Sequence, residues 1–327
     1  MTPDEALMAE AVELGRAVRR STPPNPWVGC VLVPAGDGPA AEGATQPPGG
    51  PHAEVVALEL AGDTARGATA YVSLEPCSHH GRTPPCADAL IAAGVSRVVV
   101  GTEDPDPLVA GRGIERLRAA GIAVDVGVGR EQAEAVLAPY LKHRRTGRPW
   151  VVLKLAATLD GRTAAPDGTS RWITGPLARA DVHALRAESG AVAVGAGTVR
   201  ADDPSLTVRD AEGPDPLRVV VGHVPPGARA APALEHTGPL EDLLDELGRR
   251  DVLQLLVEGG PRLAHAFHAA GLVDQYVVYV APALLGGDDG LPLLAGPGAP
   301  TMAAVRRGRL AGVRVVGADV RIDVLAR

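Results

Sequence analysis

Between Gly50 and Cys86 the chain carries Pro51-His52-Ala53-Glu54, then Pro76-Cys77, then Pro85-Cys86. One histidine and two cysteines make three borderline-to-soft ligands, the set a catalytic zinc uses when its fourth position is kept for water. Any fold this chain adopts must bring those three side chains to one point. Glu54, two residues after the histidine, has no place in the ligand set and is suited to moving protons. A closed structural site recruiting His79 or His80 as fourth ligand would give that glutamate no task. His79 and His80 are instead expected to be loop or substrate-facing residues. The expected metal ligands are His52, Cys77 and Cys86, with Glu54 catalytic.

The chain of 327 residues is long enough for two cores. Aromatic residues are only 2 % of it, so those cores must be built from Val, Leu, Ile and Ala. A net charge of −7, with few aromatics to stack on bases, argues against a nucleic-acid groove. No run approaches transmembrane length, so no membrane partner is expected. The acidic start Thr2-Pro3-Asp4-Glu5 is followed by no apolar signal region. With three cysteines, two of them in the metal motif, the chain suits a reducing cytoplasm, and Cys30 in its apolar run reads as a buried strand cysteine.

Thr2 and Glu5 form a capping box, and Leu7, Ala11, Leu14 and Val18 recur at helical spacing, predicting a helix over 3–19. Strands are expected at 28–33, 70–74, 97–101 and 122–127, and helices at 52–60, 86–93 and 114–120. The stretch 34–51 reads as loop. This alternation indicates a layered α/β sheet. His52 and Glu54 would begin one helix and Cys86 another, where the positive end of the helix dipole favours thiolate. His143 to Pro149 is basic and turn-rich, predicting a solvated linker between domains at 1–145 and 146–327.

The order His-x-Glu, Pro-Cys, Cys is the signature of zinc nucleobase deaminases. Thr22-Pro23-Pro24-Asn25-Pro26-Trp27-Val28-Gly29-Cys30-Val31, Leu74-Glu75-Pro76-Cys77, the wide gap ending Gly81-Arg82-Thr83-Pro84-Pro85-Cys86, and Asp104-Pro105-Asp106-Pro107 with Val109-Ala110-Gly111-Arg112-Gly113 together resemble the deaminase half of the bifunctional riboflavin-biosynthesis deaminase/reductases. The resemblance implies a cytidine-deaminase-like three-layer α/β/α domain. Its substrate would be a phosphorylated pyrimidine, 2,5-diamino-6-ribosylamino-4(3H)-pyrimidinone 5′-phosphate, with Asn25 contacting the base. Thr45 stands where the family often has a histidine.

In the second half, strands are expected at 150–155, 191–195, 217–221, 252–257 and 275–281, helices at 176–188, 239–247 and 262–270, and a terminal hairpin at 313–326. Two strand–turn–helix units carry small residues, Gly195-Ala196-Gly197 and Gly259-Gly260, but neither completes a Rossmann fingerprint. Lys154 to Gly161, Ser170 to Gly175 and Val257 to Pro261 resemble the reductase half of the same family. That implies a dihydrofolate-reductase-like α/β domain using NADPH. It further implies cofactor contacts from Ala157, Trp172, Thr198, Asp202 and the turn Gly260, Pro261, Arg262, Leu263, Ala264, His265 and Ala266. Substrate contacts would come from Ser170, Arg186, Leu206, Arg209 and Glu258. Arg186 and Arg209 would supply cations for the 5′-phosphate, and Lys154 and Asp202 would position groups or deliver a proton. The family normally has a longer segment, with a further strand, between Val221 and Val252. A homodimer through the second domain is also implied. The alternative is a deaminase whose second domain is only structural.

Overall fold

The computed structural model describes residues 1–78 and 84–326. The chain divides into two compact units, Met1–Gly147 and Arg148–Arg327.

In the first unit a five-stranded sheet runs in the order β2-β1-β3-β4-β5, with β1 Gly29–Val33, β2 Ala41–Ala44, β3 Thr69–Leu74, β4 Arg97–Thr102 and β5 Ala123–Val126. β1 is antiparallel to both its neighbours, whereas β3, β4 and β5 are parallel. The apolar runs of β1, β3 and β4 are buried almost throughout, because helices cover both faces of the sheet. Helices α1 (Pro3–Ala17) and α5 (Arg130–Thr146) form one layer; α2 (Ala53–Ala61), α3 (Cys86–Ala93) and α4 (Arg112–Ala119) form the other. The capping box at Thr2 is made in both directions. Two glycines set how closely the layers approach: a Cβ on Gly29 would overlap the Ala11 carbonyl oxygen, and one on Gly43 that of Ala53.

Three expectations fail here. The stretch 34–51 is not all loop, since Ala41–Ala44 forms edge strand β2; its Gly-Ala-rich composition hid the strand. Helix α5 was not expected, because Pro139 lies inside it. That helix also takes in His143 to Thr146, so they are not a solvated linker, and His143 is buried. His79, His80, Gly81, Arg82 and Thr83 lie outside the described residues.

The second unit is built on an eight-stranded sheet, β10-β9-β8-β11-β6-β12-β15-β14. Its strands are β6 Trp150–Thr158, β8 Ala191–Gly195, β9 Leu217–Val221, β10 Leu234–His236, β11 Gln254–Val257, β12 Gln275–Ala281, β14 Gly308–Val316 and β15 Asp319–Ala326; β7 Arg162–Ala164 and β13 Leu291–Pro292 form a separate ribbon. The six strands from β10 to β12 are parallel, and the terminal hairpin adds an antiparallel edge. Alternation sorts the side chains. Val151, Leu153, Ala191, Ala193, Leu255 and Val257 face a core completed by α8 (Leu240–Arg249) and α9 (Pro261–Ala270). Val152, Val192, Val194, Leu256 and Val277 face the other core, with α6 (Pro176–Ala187) and Val199 of α7 (Ala196–Asp202). Between β9 and α8 the chain makes β10, a strand too short to read from its pattern.

Asp4 at the start of α1 ties that helix to the sheet. It accepts from Arg97 Nη2 at 2.7 Å and from the Tyr71 hydroxyl at 2.7 Å. The Arg97 hydrogen bonds, then that of Tyr71, hold the Asp4 carboxyl down at about 2. A depressed folded-state pKa stabilises above the unfolded value and is lost as pH falls through the folded one. Partial exposure and screening limit the contribution to about 1 kcal/mol. Urea unfolding of Asp4→Asn should therefore show a loss of about 1 kcal/mol near neutral pH, with the difference from the parent shrinking from about pH 4 toward about pH 2.

Candidate active sites

The first site forms where β3 ends and two helices begin. His52 is the N-cap of α2, Glu54 lies in that helix's first turn, and Cys86 is the first residue of α3. Cys77 follows β3, and its carbonyl accepts from Ala87 N–H at 3.1 Å. His52 Nδ1 is 3.2 Å from Cys86 Sγ and 3.7 Å from Cys77 Sγ, and the three ligand atoms lie within 4.8 Å of one another. Tetrahedral zinc with ordinary bond lengths puts nitrogen and sulfur ligands about 3.5 Å apart. The donor set and its spacing fit the ion.

The electrostatics fit as well. Cys77 is held down at about 4, first by the Cys86 thiol hydrogen bond and then by His52, with the Cys86 backbone N–H donating to its sulfur at 3.3 Å. Cys86 is raised, chiefly because its proton is the one shared with Cys77. Glu54 is 3 % exposed, and burial, then the neighbouring Cys77 charge, pushes its carboxyl up to about 7. Cys30 is fully buried, as its apolar run predicts. Asn25 is half-buried, with its backbone N–H donating to the Thr22 carbonyl at 2.9 Å. Thr45 is buried, and its hydroxyl accepts from the Val28 N–H at 3.1 Å, so it fastens β1.

Glu75, quoted above only within a motif, has a clear task. Its carboxylate accepts backbone N–H groups of Asp104 and Gly111 on one oxygen and of Gly113 and Ile114 on the other, at 2.9–3.3 Å. It thereby ties the loop before α4 to the strand end that carries Cys77. A Cβ on Gly113 would overlap the Pro76 carbonyl oxygen, which is why glycine stands there.

The second site is a cleft of about 1030 Å³ at the carboxyl ends of the parallel strands, the place where open α/β sheets bind ligands. Both glycine turns open onto it, joined by Gly260 N–H donating to Thr198 Oγ1 at 3.2 Å. Of the expected residues, Lys154, Ser170, Trp172, Thr198, Asp202, Arg186, Arg209, Glu258, Gly260, Pro261, Arg262 and Leu263 line it. Ala157, Leu206, Ala264, His265 and Ala266 do not. Ala157 and Ala264 are core residues, Leu206 packs in the α6-side core, and the His265 ring is against the Pro297 carbonyl at 3.0 Å. Any ligand contact from Ala157, Leu206 or Ala264 must come from the backbone.

Arg186 also differs from expectation. Its guanidinium donates to both Glu258 oxygens, at 2.6 and 2.9 Å, and to the Thr207 carbonyl at 3.0 Å. Each side chain of the pair is only 11 % exposed. Burial alone would raise Glu258, but Arg186 outweighs it and keeps the carboxyl below its usual range. Arg186 is thus paired with Glu258 while lining the cleft. Arg209 is exposed and donates to the Ser205 and Thr207 hydroxyls at 2.6 and 3.2 Å. Burial, with Arg186 adding to it, lowers Lys154, whose ammonium lies 5.9 Å from the Tyr279 ring centroid. Arg171 donates to the Asp202 carbonyl at 2.9 Å, and Arg179 stacks 4.4 Å from the Trp172 centroid. Neither Arg179 nor His183, another lining residue, was singled out from sequence; a cation or histidine on a helix gives no signal until the facing loop is known.

Two family profiles divide the chain. The cytidine and deoxycytidylate deaminase zinc-binding region matches residues 1–102, and the RibD C-terminal domain matches residues 149–322. The riboflavin biosynthesis protein RibD of Escherichia coli K12 is 45 % identical, covering 98 % of this chain and 99 % of its own. The chain belongs to the RibD family. The RibD of Mycobacterium tuberculosis H37Rv is 44 % identical over 99 % of this chain and 97 % of its own. In structure, Acinetobacter baumannii RibD superposes with a TM-score of 0.91 at 41 % identity, covering 99 % of each chain. A Thermotoga maritima protein described as a diaminohydroxyphosphoribosylaminopyrimidine deaminase/5-amino-6-(5-phosphoribosylamino)uracil reductase superposes at 0.87 with 35 % identity, again over 99 % of each. As a RibD protein the chain is bifunctional, a zinc-dependent deaminase domain followed by a reductase domain, and the reading of a merely structural second domain is not favoured. Among the described residues no helix is long and apolar enough to cross a membrane.

Removing one partner of a buried pair leaves the other charge uncompensated, at a cost of about 3–5 kcal/mol. Glu258→Ala should destabilise the second unit by that amount in urea unfolding followed by circular dichroism, and the double variant Arg186→Met/Glu258→Leu should recover most of it.

Proposed function

We propose that residues 1–145 remove the ring 2-amino group of 2,5-diamino-6-ribosylamino-4(3H)-pyrimidinone 5′-phosphate. Residues 146–327 then reduce the ribosyl group of the deaminated product to a ribityl chain with NADPH. The observation that carries this reading is Glu54, a buried carboxyl beside three zinc-type ligands from separate segments. It is supported by the two activities in the Thermotoga maritima protein's description.

His52 Nδ1 and the Cys77 and Cys86 sulfurs would hold the zinc, which when bound supplies the Lewis acidity that makes water nucleophilic near neutral pH. Glu54 carries the protons. A carboxyl pushed up to about 7 can take a proton and give it back in the same cycle, first to a ring nitrogen and then to the departing amine. Asn25 would orient the base. Its burial leaves Glu54 little solvent to exchange with, which keeps the proton on the reaction path.

In the cleft, NADPH when bound would supply hydride for the reduction at ribose C1′. Trp172, Thr198, Asp202 and the 260–266 turn would hold it, with Ala157 contributing backbone. Ser170, Arg209, Glu258 and the Leu206 backbone would hold the substrate, Arg209 at its 5′-phosphate. Lys154, its ammonium made more acidic by burial, would give a proton to the opening ring oxygen, with Asp202 positioning it. The protein would act in the cytoplasm as a homodimer paired through the second unit, where edge strand β14 exposes Leu310, Val313 and Val315.

Zinc and NADPH supplied separately and together to the diamino substrate should give deamination with zinc alone and nicotinamide oxidation only with both. Glu54→Gln should keep zinc by metal analysis, lose deamination by about a thousandfold, and still oxidise NADPH when given the deaminated intermediate. A Glu54→Gln protein that holds zinc and still deaminates would end the assignment.

A further inference from the structure

His183 lies on α6 and is 6 % exposed, facing the reductase cleft one turn before Arg186, while Ala178 and Leu185 of the same helix pack in the core. Its Nδ1 accepts the backbone N–H of Arg209 at 3.3 Å. Its Nε2 is 3.4 Å from Arg209 Nη2 and 3.6 Å from the Asp210 carboxylate. One ring thus touches both the backbone and the guanidinium of Arg209. The loop it holds is bent sharply, with Leu206 at φ 57° and its side chain locked in the core.

Arg209 itself is set apart from the neighbouring Arg186. Arg186 is matched by Glu258, whereas the side-chain oxygens that Arg209 reaches among the described residues are the neutral hydroxyls of Ser205 and Thr207. Its charge is available to an anion, but a long exposed arginine loses much rotamer freedom when it binds one. Preorganisation removes part of that cost before the ligand arrives.

We propose that His183 is a positioning residue for the reductase, orienting Arg209 toward the substrate phosphate by accepting its backbone N–H at Nδ1. This rests on the reading that Arg209 receives the 5′-phosphate. Only a neutral imidazole does this: an Nδ1 that accepts an N–H carries no proton, and the proton on Nε2 faces Asp210. Burial, then the charges of Arg186 and Arg209, keeps the ring below its usual pKa, with Asp210 and Glu258 opposing. A lysine here would add a third cation, and a leucine would leave the Arg209 N–H unpaired.

The test uses the full-length protein, 5-amino-6-(5-phosphoribosylamino)uracil and its phosphate-free counterpart, with NADPH oxidation as readout and deamination as the check on folding. His183→Leu should raise KM for the phosphorylated substrate about tenfold, change kcat less than about twofold and leave KM for the phosphate-free compound in place. His183→Asn, which restores an acceptor near the Nδ1 position, should recover most of the loss. Equal effects on both substrates, no change in KM, or no recovery with asparagine would overturn the proposal. Arg209→Ala separates the two readings. If it abolishes preference for the phosphorylated substrate while His183→Leu does not, the positioning role alone is wrong; if it leaves the preference intact, the phosphate assignment falls and the proposal with it.

Discussion

Four backbone N–H groups converge on the two oxygens of Glu75, and the geometry of the first site follows from that anchor. Cys77 lies just beyond it, past the end of β3. Loop residues hold a ligand within tenths of an ångström only when the backbone is fastened nearby. Glu75 does this from one side, while the first turn of α3 does it from the other, through Cys86 N–H on the Cys77 sulfur and Ala87 N–H on its carbonyl. The ligands therefore sit at a strand end and two helix starts, where backbone donors face outward and anionic sulfur is favoured.

In the second unit a like demand is met by ion pairing. In a chain of net charge −7 the cleft is lined by arginines that play different parts. Arg186 is spent on Glu258, which keeps a buried carboxylate ionised at the cleft floor. Arg209 stays open, and Arg179 lies against Trp172. Counting arginines would have made these equivalent. Their partners separate them.

Legibility in the sequence followed the strength of local pattern. β8, β12 and α3 are readable because apolar runs of the right length mark them, and β8 is buried along almost its whole length. β2 and β10 were not, since each is a short edge strand whose stability comes from one neighbour and not from its own side chains. α5 was lost to a single proline: Pro139 argues against a helix locally, yet the helix continues through it because Val136, Leu137, Tyr140 and Leu141 are buried against the rest of the unit. The basic residues at its end look like a linker for the same reason, for charge at a helix C-terminus and charge in a solvated loop read alike.

The zinc ligands, the glutamate beside them, the two-domain α/β architecture and the family were determined by the sequence itself, because metal chemistry tolerates few residue types and their order survives in the chain. What only the tertiary structure decided is the task of each charge: that Glu75 is a backbone anchor, that Arg186 is neutralised and Arg209 is not, and that Leu206, Ala157 and Ala264 turn their side chains into the core. Those outcomes depend on which groups face each other across a sheet or a loop. Pairing of that kind is fixed by burial and desolvation, quantities that have no value until the chain has folded.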